Sequence, residues 1–373
     1  MSVVKILHCA DIHIGAAESF LGEKATSRRF ETLITFEKIV DIATENRVDV
    51  VTIAGDLFDS NTAESSLTDA VFTKIGSAPQ IKFIFSAGNH DPLDMRSPFL
   101  KKQLPDNLYV LKTKDDCICF DDLSLCVYGR SFESAFLKGE ERFSLNPHSD
   151  YVNLMVLHGD LSADSDYNGI TSEFIGNSGM DYIALGHIHK RSEISKIDNT
   201  CFAYSGCPEG QGFDETDIKG VYMGEIGKGI CNLKFIPTAK RMHICENIDI
   251  SAIGSTDEIA GYIISVLSKK YGEEFGENLY KIVLTGAVKF EDIPIDEIKS
   301  RIADKVYYVK IRDNTEIAID YESLAKETSL KGIFVKNMLE KIKNADHSQK
   351  DQYENALKIG LKAFGGEVKY SEN

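Results

Sequence analysis

Five short polar clusters each follow directly on an apolar run: Asp11-Ile12-His13, Gly55-Asp56-Leu57-Phe58-Asp59, Gly88-Asn89-His90-Asp91, His158-Gly159 and Gly186-His187-Ile188-His189. Carboxylate, amide oxygen and imidazole are hard-to-borderline donors, suited to Mn²⁺, Fe²⁺, Zn²⁺ or Mg²⁺. Asp11 and His13 alternate on an extended segment, so a small twist lets both reach one ion. Asp56 closes the next run, and its two oxygens can bridge two ions. Asn89 offers a neutral oxygen, and His158, His187 and His189 complete two coordination shells while leaving room for water and substrate. Glycines at 55, 88, 159 and 186 permit tight turns where the side chains must converge. A lone Asp or Asn after a strand is commonly a turn former, but five such clusters in this order point to metal-assisted phosphoester hydrolysis.

The elements that must position them are short buried strands over Val3–Ala10, Val48–Ala54, Ile81–Ala87, Tyr151–Leu157 and Asp181–Leu185, rich in Val, Ile, Leu and Phe. Between the first two runs, Phe30, Leu33, Ile34, Ile39, Val40 and Ile42 fall largely on one face of a helix, and residues 64–76 form another. Strand–helix alternation implies an α/β sheet covered on both faces. Ligands of such sheets gather at the carboxyl ends of the strands, where all five clusters stand. Leu123–Gly129, Cys201–Ser205, Lys219–Ile226 and Asn232–Phe235 read as strands of a second sheet packed on the first. Past Pro237 the pattern changes to strand (240–250), helix (256–271), strand (278–287), helix (294–303) and strands (305–311, 315–320). Two amphipathic helices close the chain, with Leu330, Ile333, Phe334, Met338 and Ile342 on one stripe and Tyr353, Leu357, Leu361 and Phe364 on the other. The expected domains are 1–238 (the hydrolase), 239–322 (a small α+β domain) and 323–373 (the tail helices).

At 373 residues the chain exceeds one typical domain, and its 43% apolar content supports an ordinary core. The formal charge of −16 argues against broad, unassisted nucleic-acid binding. Two divalent ions would offset about four charges at the site. Eight cysteines show neither a CxxC pair nor a regular framework, so they are expected to be buried and reduced. The sequence enters a strand at once, without a signal-peptide pattern, and no apolar run approaches the roughly 20 residues that span a bilayer. A cytoplasmic protein is expected. His8, His148, His243 and His347 lack the context of the clusters and are expected to be structural.

These motifs resemble those of the calcineurin-like metallophosphoesterases, whose pattern is D-x-H, GD-x-x-D, GNH(D/E), H and GH-x-H. The resemblance implies a four-layer α/β/β/α sandwich, here with a C-terminal α+β cap. It implies one ion held by Asp11, His13, Asp56 and His189 and a second held by Asp56, Asn89, His158 and His187. Mn²⁺ is the preferred ion, with Fe²⁺, Zn²⁺ or Mg²⁺ as alternatives. The nucleophile would be a metal-bridging hydroxide, with the ions about 3.5–4 Å apart. His90 would face the substrate and protonate the leaving oxygen. The family pattern suggests that Asp59 orients His90; Asp91 is a second candidate for that role, and the sequence does not choose between them.

Three stretches, KILHCADIHIG, GNHDPLDMRSPF and AYSGCPEGQGFDETDIKGV, are similar to those of SbcD- and YhaO-type DNA repair exonucleases. In the third, Ser205-Gly206-Cys207 stands where Pro-Gly-Asn is usual, and Asp217-Ile218 stands in place of a glycine. Lys219-Gly220 reads as a turn into a strand. Arg96, Arg130, Lys190 and Arg191 are candidate phosphate contacts or surface charges in equal measure. The resemblance implies DNA as substrate, an SMC-like (SbcC-type) ATPase partner docked on the tail helices, and a homodimer. Alternatives are a small-molecule or cyclic-nucleotide phosphodiesterase, a protein phosphatase (disfavoured because Ser60 stands where those enzymes carry Arg) and a scaffold subunit of an SMC-like complex.

Overall fold

The structure, a computed structural model, describes residues 2–137, 146–290 and 292–364; residues 365–373 of the expected tail and the side chain of His347 lie outside the described part. Strands β1 (Val3–Cys9), β2 (Val50–Ala54), β3 (Lys82–Ser86) and β4 (Leu108–Val110) pair in parallel as neighbours. Helix α1 (Ala25–Glu45) connects the first two, and helix α2 (Ser65–Gly76) the next two; a single turn, α3 (Pro98–Lys101), precedes β4. A second sheet follows, built from β5 (Asp116–Phe120), β6 (Leu125–Arg130), β7 (Val152–His158), β8 (Tyr182–Gly186), β9 (Ser195–Ile197) and β10 (Thr200–Tyr204), in the order β5-β6-β7-β8-β10-β9. Helix α4 (Ser172–Asn177) lies between β7 and β8 in sequence. The chain then returns to the first sheet through β11 (Gly220–Gly227) and β12 (Ile230–Pro237), giving the order β12-β11-β1-β2-β3-β4.

Apolar residues alternate along these strands into three cores. Leu7, Cys9, Val51, Ile53, Phe83 and Phe85 face α1 and α2. Val4, Ile6, Val50 and Ile84 face Val127, Leu154, Val156 and Ala184 of the second sheet. Met155, Leu157, Ile183 and Leu185 pack with Ile175 of α4. Both faces of each sheet are therefore covered, which is why the strands read as continuous apolar runs. This is the expected four-layer sandwich. Phe30 and Ile34, expected on the buried face of α1, are instead 45% and 49% exposed. The buried face uses Arg28, Glu31, Thr32 and Thr35 there, because the guanidinium of Arg28 bonds Glu18, Glu31, Glu209 and the Gly210 carbonyl.

The expectation of reduced cysteines is corrected at one place. Cys119 and Cys126, directly opposed on β5 and β6, form a disulfide. Their spacing carries no signal because the hairpin register that opposes them is a tertiary fact.

By contacts the chain divides into two units, one of residues 1–246, 264–282 and 300–310 and the other of 247–263, 283–299 and 311–373. Past the sandwich lie β13 (His243–Asp249), α5 (Thr256–Tyr271), β14 (Leu279–Thr285), β15 (Ala287–Val288), α6 (Ile295–Ile302), β16 (Tyr308–Asp313), β17 (Glu316–Ile317) and the turn α7 (Tyr321–Leu324). They form sheets β13-β14-β16 and β15-β17. Helices α8 (Leu330–Asn344) and α9 (His347–Phe364) follow. Val335, Met338, Leu357 and Leu361 pack together, and a Cβ on Gly360 would come within 2.3 Å of Phe334 Cζ, so glycine permits the close approach of α9 to α8. Most of the tail stripes are thus spent on each other, while Leu330, Ile333 and Ile359 stay exposed. Among the described residues no helix is long and apolar enough to cross a membrane.

His8 is fully buried between the sheets, with Nδ1 2.9 Å from the Tyr182 hydroxyl and Nε2 3.1 Å from the Leu185 carbonyl. A carbonyl only accepts, so Nε2 carries the hydrogen and Nδ1 accepts from the tyrosine. Burial pulls its pKa from 6.5 down to about 3, against the smaller opposing pull of the Leu185 carbonyl. Unfolded chain therefore binds a proton that the folded chain refuses. The stability that neutral His8 supplies is complete above pH 6.5 and is lost as pH falls from there toward 3. In urea titrations between about pH 6.5 and 5, in EDTA, the native chain should lose about 1 kcal/mol per pH unit more than a His8→Gln variant does. Equal slopes would remove His8 from the acid sensitivity.

Candidate metal centre

All five clusters meet at one end of the sandwich, where β1, β2, β3, β7 and β8 stop. The chain turns there through unusual backbone. Asp11, His13, Asp56 and His187 all have positive φ (51°, 49°, 50° and 99°), a conformation that non-glycine residues adopt only when surroundings over-determine it. Here they do. Asp11 N–H donates to the Gly55 carbonyl (3.1 Å), His13 N–H to the Asp56 carbonyl (2.9 Å) and Ile14 N–H to the Leu57 carbonyl (2.9 Å). The two loops are thereby laced together like an extra pair of strands. His187 N–H donates to both carboxylate oxygens of Asp11, at 3.0 and 3.1 Å. His90 N–H donates to Asp56 Oδ1 at 2.8 Å. A Cβ on Gly88 would lie 2.2 Å from that same oxygen, and one on Gly55 would lie 2.1 Å from His158 Nδ1. These glycines make room for the donors themselves.

Several of these side chains converge. Ligand atoms of Asp11, His13 and His189 lie within 4.8 Å of one another, as do those of Asp11, Asp56 and His158. His158 donates Nδ1–H to the Ala54 carbonyl at 2.9 Å, leaving Nε2 at 2.9 Å from Asn89 Oδ1 and 3.3 Å from Asp56 Oδ2. His189 donates Nδ1–H to Glu215 Oε1 at 2.6 Å, leaving Nε2 at 3.1 Å from His13 Nε2. Lone pairs from five side chains thus point at one another with no shared hydrogen dictated by their outer partners. A hydrogen on His13 Nε2 and a protonated His158 would satisfy these contacts, as would cations placed among them, and the donor set fits a pair of borderline divalent ions. The electrostatics agree. Burial disfavours charge on Asp56, yet His158, then His13 and His90, hold its pKa well below the ordinary carboxylate range. Burial likewise works against an imidazolium at His158, but Asp56 and Asp11 raise its pKa to about 9. His187 meets His158 edge to face at 5.2 Å between centroids, and burial together with His158 lowers its pKa.

His90 stands at the lip, with its side chain 45% exposed. Its Nδ1 lies 3.1 Å from the backbone carbonyl of Asp59 and 3.9 Å from the Asp59 carboxylate, which is nearer to His13 Nδ1 at 3.3 Å. Asp59 therefore meets His90 chiefly through its main chain. Beside it opens a cavity of about 440 Å³ lined by Asp59, Ser60, Asn61, Asn89 and His90. Asp91 corrects the sequence reading. It turns away from His90 into the core, where Oδ1 accepts from Gly88 N–H (2.9 Å) and Asp56 N–H (3.2 Å) and Oδ2 accepts from Phe58 N–H (3.1 Å). Burial and the neighbouring Asp56 push its pKa up to about 7.

Two further residues, both within the AYSGCPEGQGFDETDIKGV stretch, carry no role at the site in the sequence reading. Glu215, 26 residues beyond His189, orients that imidazole and is itself held by the Gln211 N–H at 3.0 Å. Lys219, read as part of a turn, is buried and donates to the His189 carbonyl at 2.8 Å. Of the candidate phosphate contacts, Arg96 pairs with Asp94 at 2.6 Å, Arg130 is buried against Asn168 Oδ1 at 3.1 Å, and Arg191 lies 4.2 Å over the Phe235 ring, whereas Lys190 is exposed.

Removing the Asp91 carboxylate should orphan three buried N–H groups that hold the β2 and β3 loops in register. Asp91→Ala is expected to lose about 3 kcal/mol of stability and to bind less metal per chain by elemental analysis. Unchanged metal content would show that the clamp is not needed to form the centre.

Comparison with known proteins gives the chain's family. Residues 4–191 match the family model described as calcineurin-like phosphoesterase. The metallophosphoesterase YhaO of Bacillus subtilis is 28% identical over 249 residues, covering 61% of this chain and 59% of that protein. The DNA double-strand break repair protein Mre11 of Saccharolobus solfataricus is 25% identical over 334 residues, covering 85% of this chain and 84% of that protein. A dimetal phosphatase from Danio rerio superposes with a TM-score of 0.41 at 12% identity, over 64% of this chain and 100% of that one. The chain belongs to the calcineurin-like phosphoesterase family and is a metal-dependent phosphoester hydrolase.

Proposed function

We propose that the chain is a two-metal phosphodiesterase acting on DNA, an exonuclease of DNA repair. The observation that carries the reading is the half-exposed His90 beside a buried donor cluster that fits divalent ions and an open cavity. One ion would be held by Asp11, His13, Asp56 and His189 and the other by Asp56, Asn89, His158 and His187, with Mn²⁺ preferred. When bound, the ions supply Lewis acidity that acidifies water and neutralises phosphate charge. The chain's own residues do the rest. Asp11 and Asp56, rigid on laced loops, fix the donor positions. Glu215 and the Ala54 carbonyl fix the tautomers of His189 and His158, so that Nε2 of each presents a lone pair. His90 donates Nδ1–H to the Asp59 carbonyl, which leaves Nε2 to hold the proton passed to the leaving oxygen.

DNA as substrate is supported by the Mre11 relative, named for double-strand break repair, which aligns over 85% of this chain. Residues 239–322 would cap the substrate, and the exposed apolar residues of α8 and α9 would dock a SbcC-type ATPase in the cytoplasm, with the chain as a homodimer. The charge of −16 favours a second reading, a small-molecule phosphodiesterase.

Hydrolysis of end-labelled linear DNA with Mn²⁺, with a small chromogenic diester in parallel, separates the two. DNA release abolished by EDTA supports the nuclease. Turnover of the diester alone, with the ATPase partner also present, supports the second reading. His90→Ala should keep both metals and lose about 10²–10⁴ in kcat, whereas Asp56→Ala should lose metal as well; full activity in His90→Ala would refute the acid. Asn89→Ala should lower the metal content from two ions toward one, and an undiminished two-ion content would contradict its assignment.

A further inference from the structure

The loop after His158 carries a ring stack that hydrolysis does not require. Tyr167 lies against the His187 ring, with centroids 4.8 Å apart and planes inclined by 32°. Phe136 lies on Tyr167 at 5.7 Å and 34°. The outermost ring, Phe136, is 54% exposed. Isolated exposed phenyl rings are ordinary, but this one is bolted to the metal centre. Leu137 N–H donates to the Asp166 carbonyl at 3.0 Å, and Asn168 N–H to the Leu137 carbonyl at 2.9 Å, so the two ring-bearing segments are tied on both sides of Tyr167. Asn168 sits in the left-handed region at φ 53°, buried, and donates Nδ2–H to the His158 carbonyl at 2.9 Å. Asp160 N–H donates to the Tyr167 carbonyl at 3.1 Å. The rings thus have a fixed position relative to two candidate ligands, His158 and His187.

We propose that Phe136 and Tyr167 form a nucleobase platform that holds one base of the substrate beside the scissile phosphate. The inference rests on the phosphodiesterase reading and specifies its substrate as a nucleotide diester. Every base offers a π-face, so such stacking is tolerant of sequence and supplies affinity without positive charge. The leaving group is assigned to the cavity beside His90, the group placed to protonate it, and the base on the rings to the retained nucleoside.

The test compares thymidine 5′-(4-nitrophenyl phosphate) with methyl 4-nitrophenyl phosphate, which share a leaving group and differ in the retained group, a nucleoside against a methyl. The ratio of their kcat/KM values should favour the thymidine ester in the native chain and fall about tenfold in Phe136→Ala. Phe136→Trp should restore it, and Phe136→Leu, which keeps apolar bulk without a π-face, should not. A ratio unmoved by Phe136→Ala, or restored equally by Leu, overturns the platform. If the native chain hydrolyses neither ester, the phosphodiesterase reading fails instead. Calorimetric binding of thymidine 5′-monophosphate with Mn²⁺ then decides the platform alone, with about tenfold weaker binding in Phe136→Ala expected and equal binding overturning it.

Discussion

Asp56 is the residue through which the rest of the centre is positioned. Its carbonyl accepts from His13 N–H, its Oδ1 accepts from His90 N–H, its Oδ2 faces His158, and its own N–H is held by Asp91. Three of the other four clusters thus report to one aspartate. A buried carboxylate is tolerable only with compensating charge and hydrogen bonds. Here His158, with His13 and His90, supplies that compensation, and a cation held at the candidate centre would add to it.

That arrangement is strained, and the strain is local. The left-handed residues at 11, 13, 56 and 187 and the close pair Asp56–Asp91 all sit within the loops beyond the strand ends. The strands behind them are buried on both faces by large aliphatic and aromatic side chains. Cores of that density do not shift to relieve a turn. Asp91 illustrates the trade. A neutral side chain would avoid repulsion with Asp56, but only a carboxylate has two oxygens free to accept from three N–H groups on two loops.

The candidate donors were legible because each lies within a residue or two of a strand end, and strand ends are set by local hydrophobic pattern. The four layers were legible for the same reason. What the sequence hid depends on distance. Glu215 meets His189 only because the chain leaves the second sheet after β10 and returns to the first at β11. The role of Asp91 depends on which way one side chain turns, and its place next to His90 suggested the wrong partner. The exposed Phe30 and Ile34 were misplaced because the buried face of α1 is held by the Arg28 charge cluster, which periodicity of apolar residues cannot register.

The acidity of the chain bears on how a phosphodiester substrate is held. Nucleic-acid surfaces ordinarily spend arginine on phosphate. Around this centre Arg96 is paired with Asp94, Arg130 is buried against Asn168, and Arg191 covers Phe235. Arg130 therefore fixes the Asn168 loop that carries Tyr167, so its guanidinium serves the ring stack and not the phosphate. With the scissile phosphate left to the cations of the centre, the remaining binding has to come from groups indifferent to charge. On the proposed reading, rings packed against His187 would meet that requirement and would let an acidic protein hold the base of a polyanion whose backbone it repels.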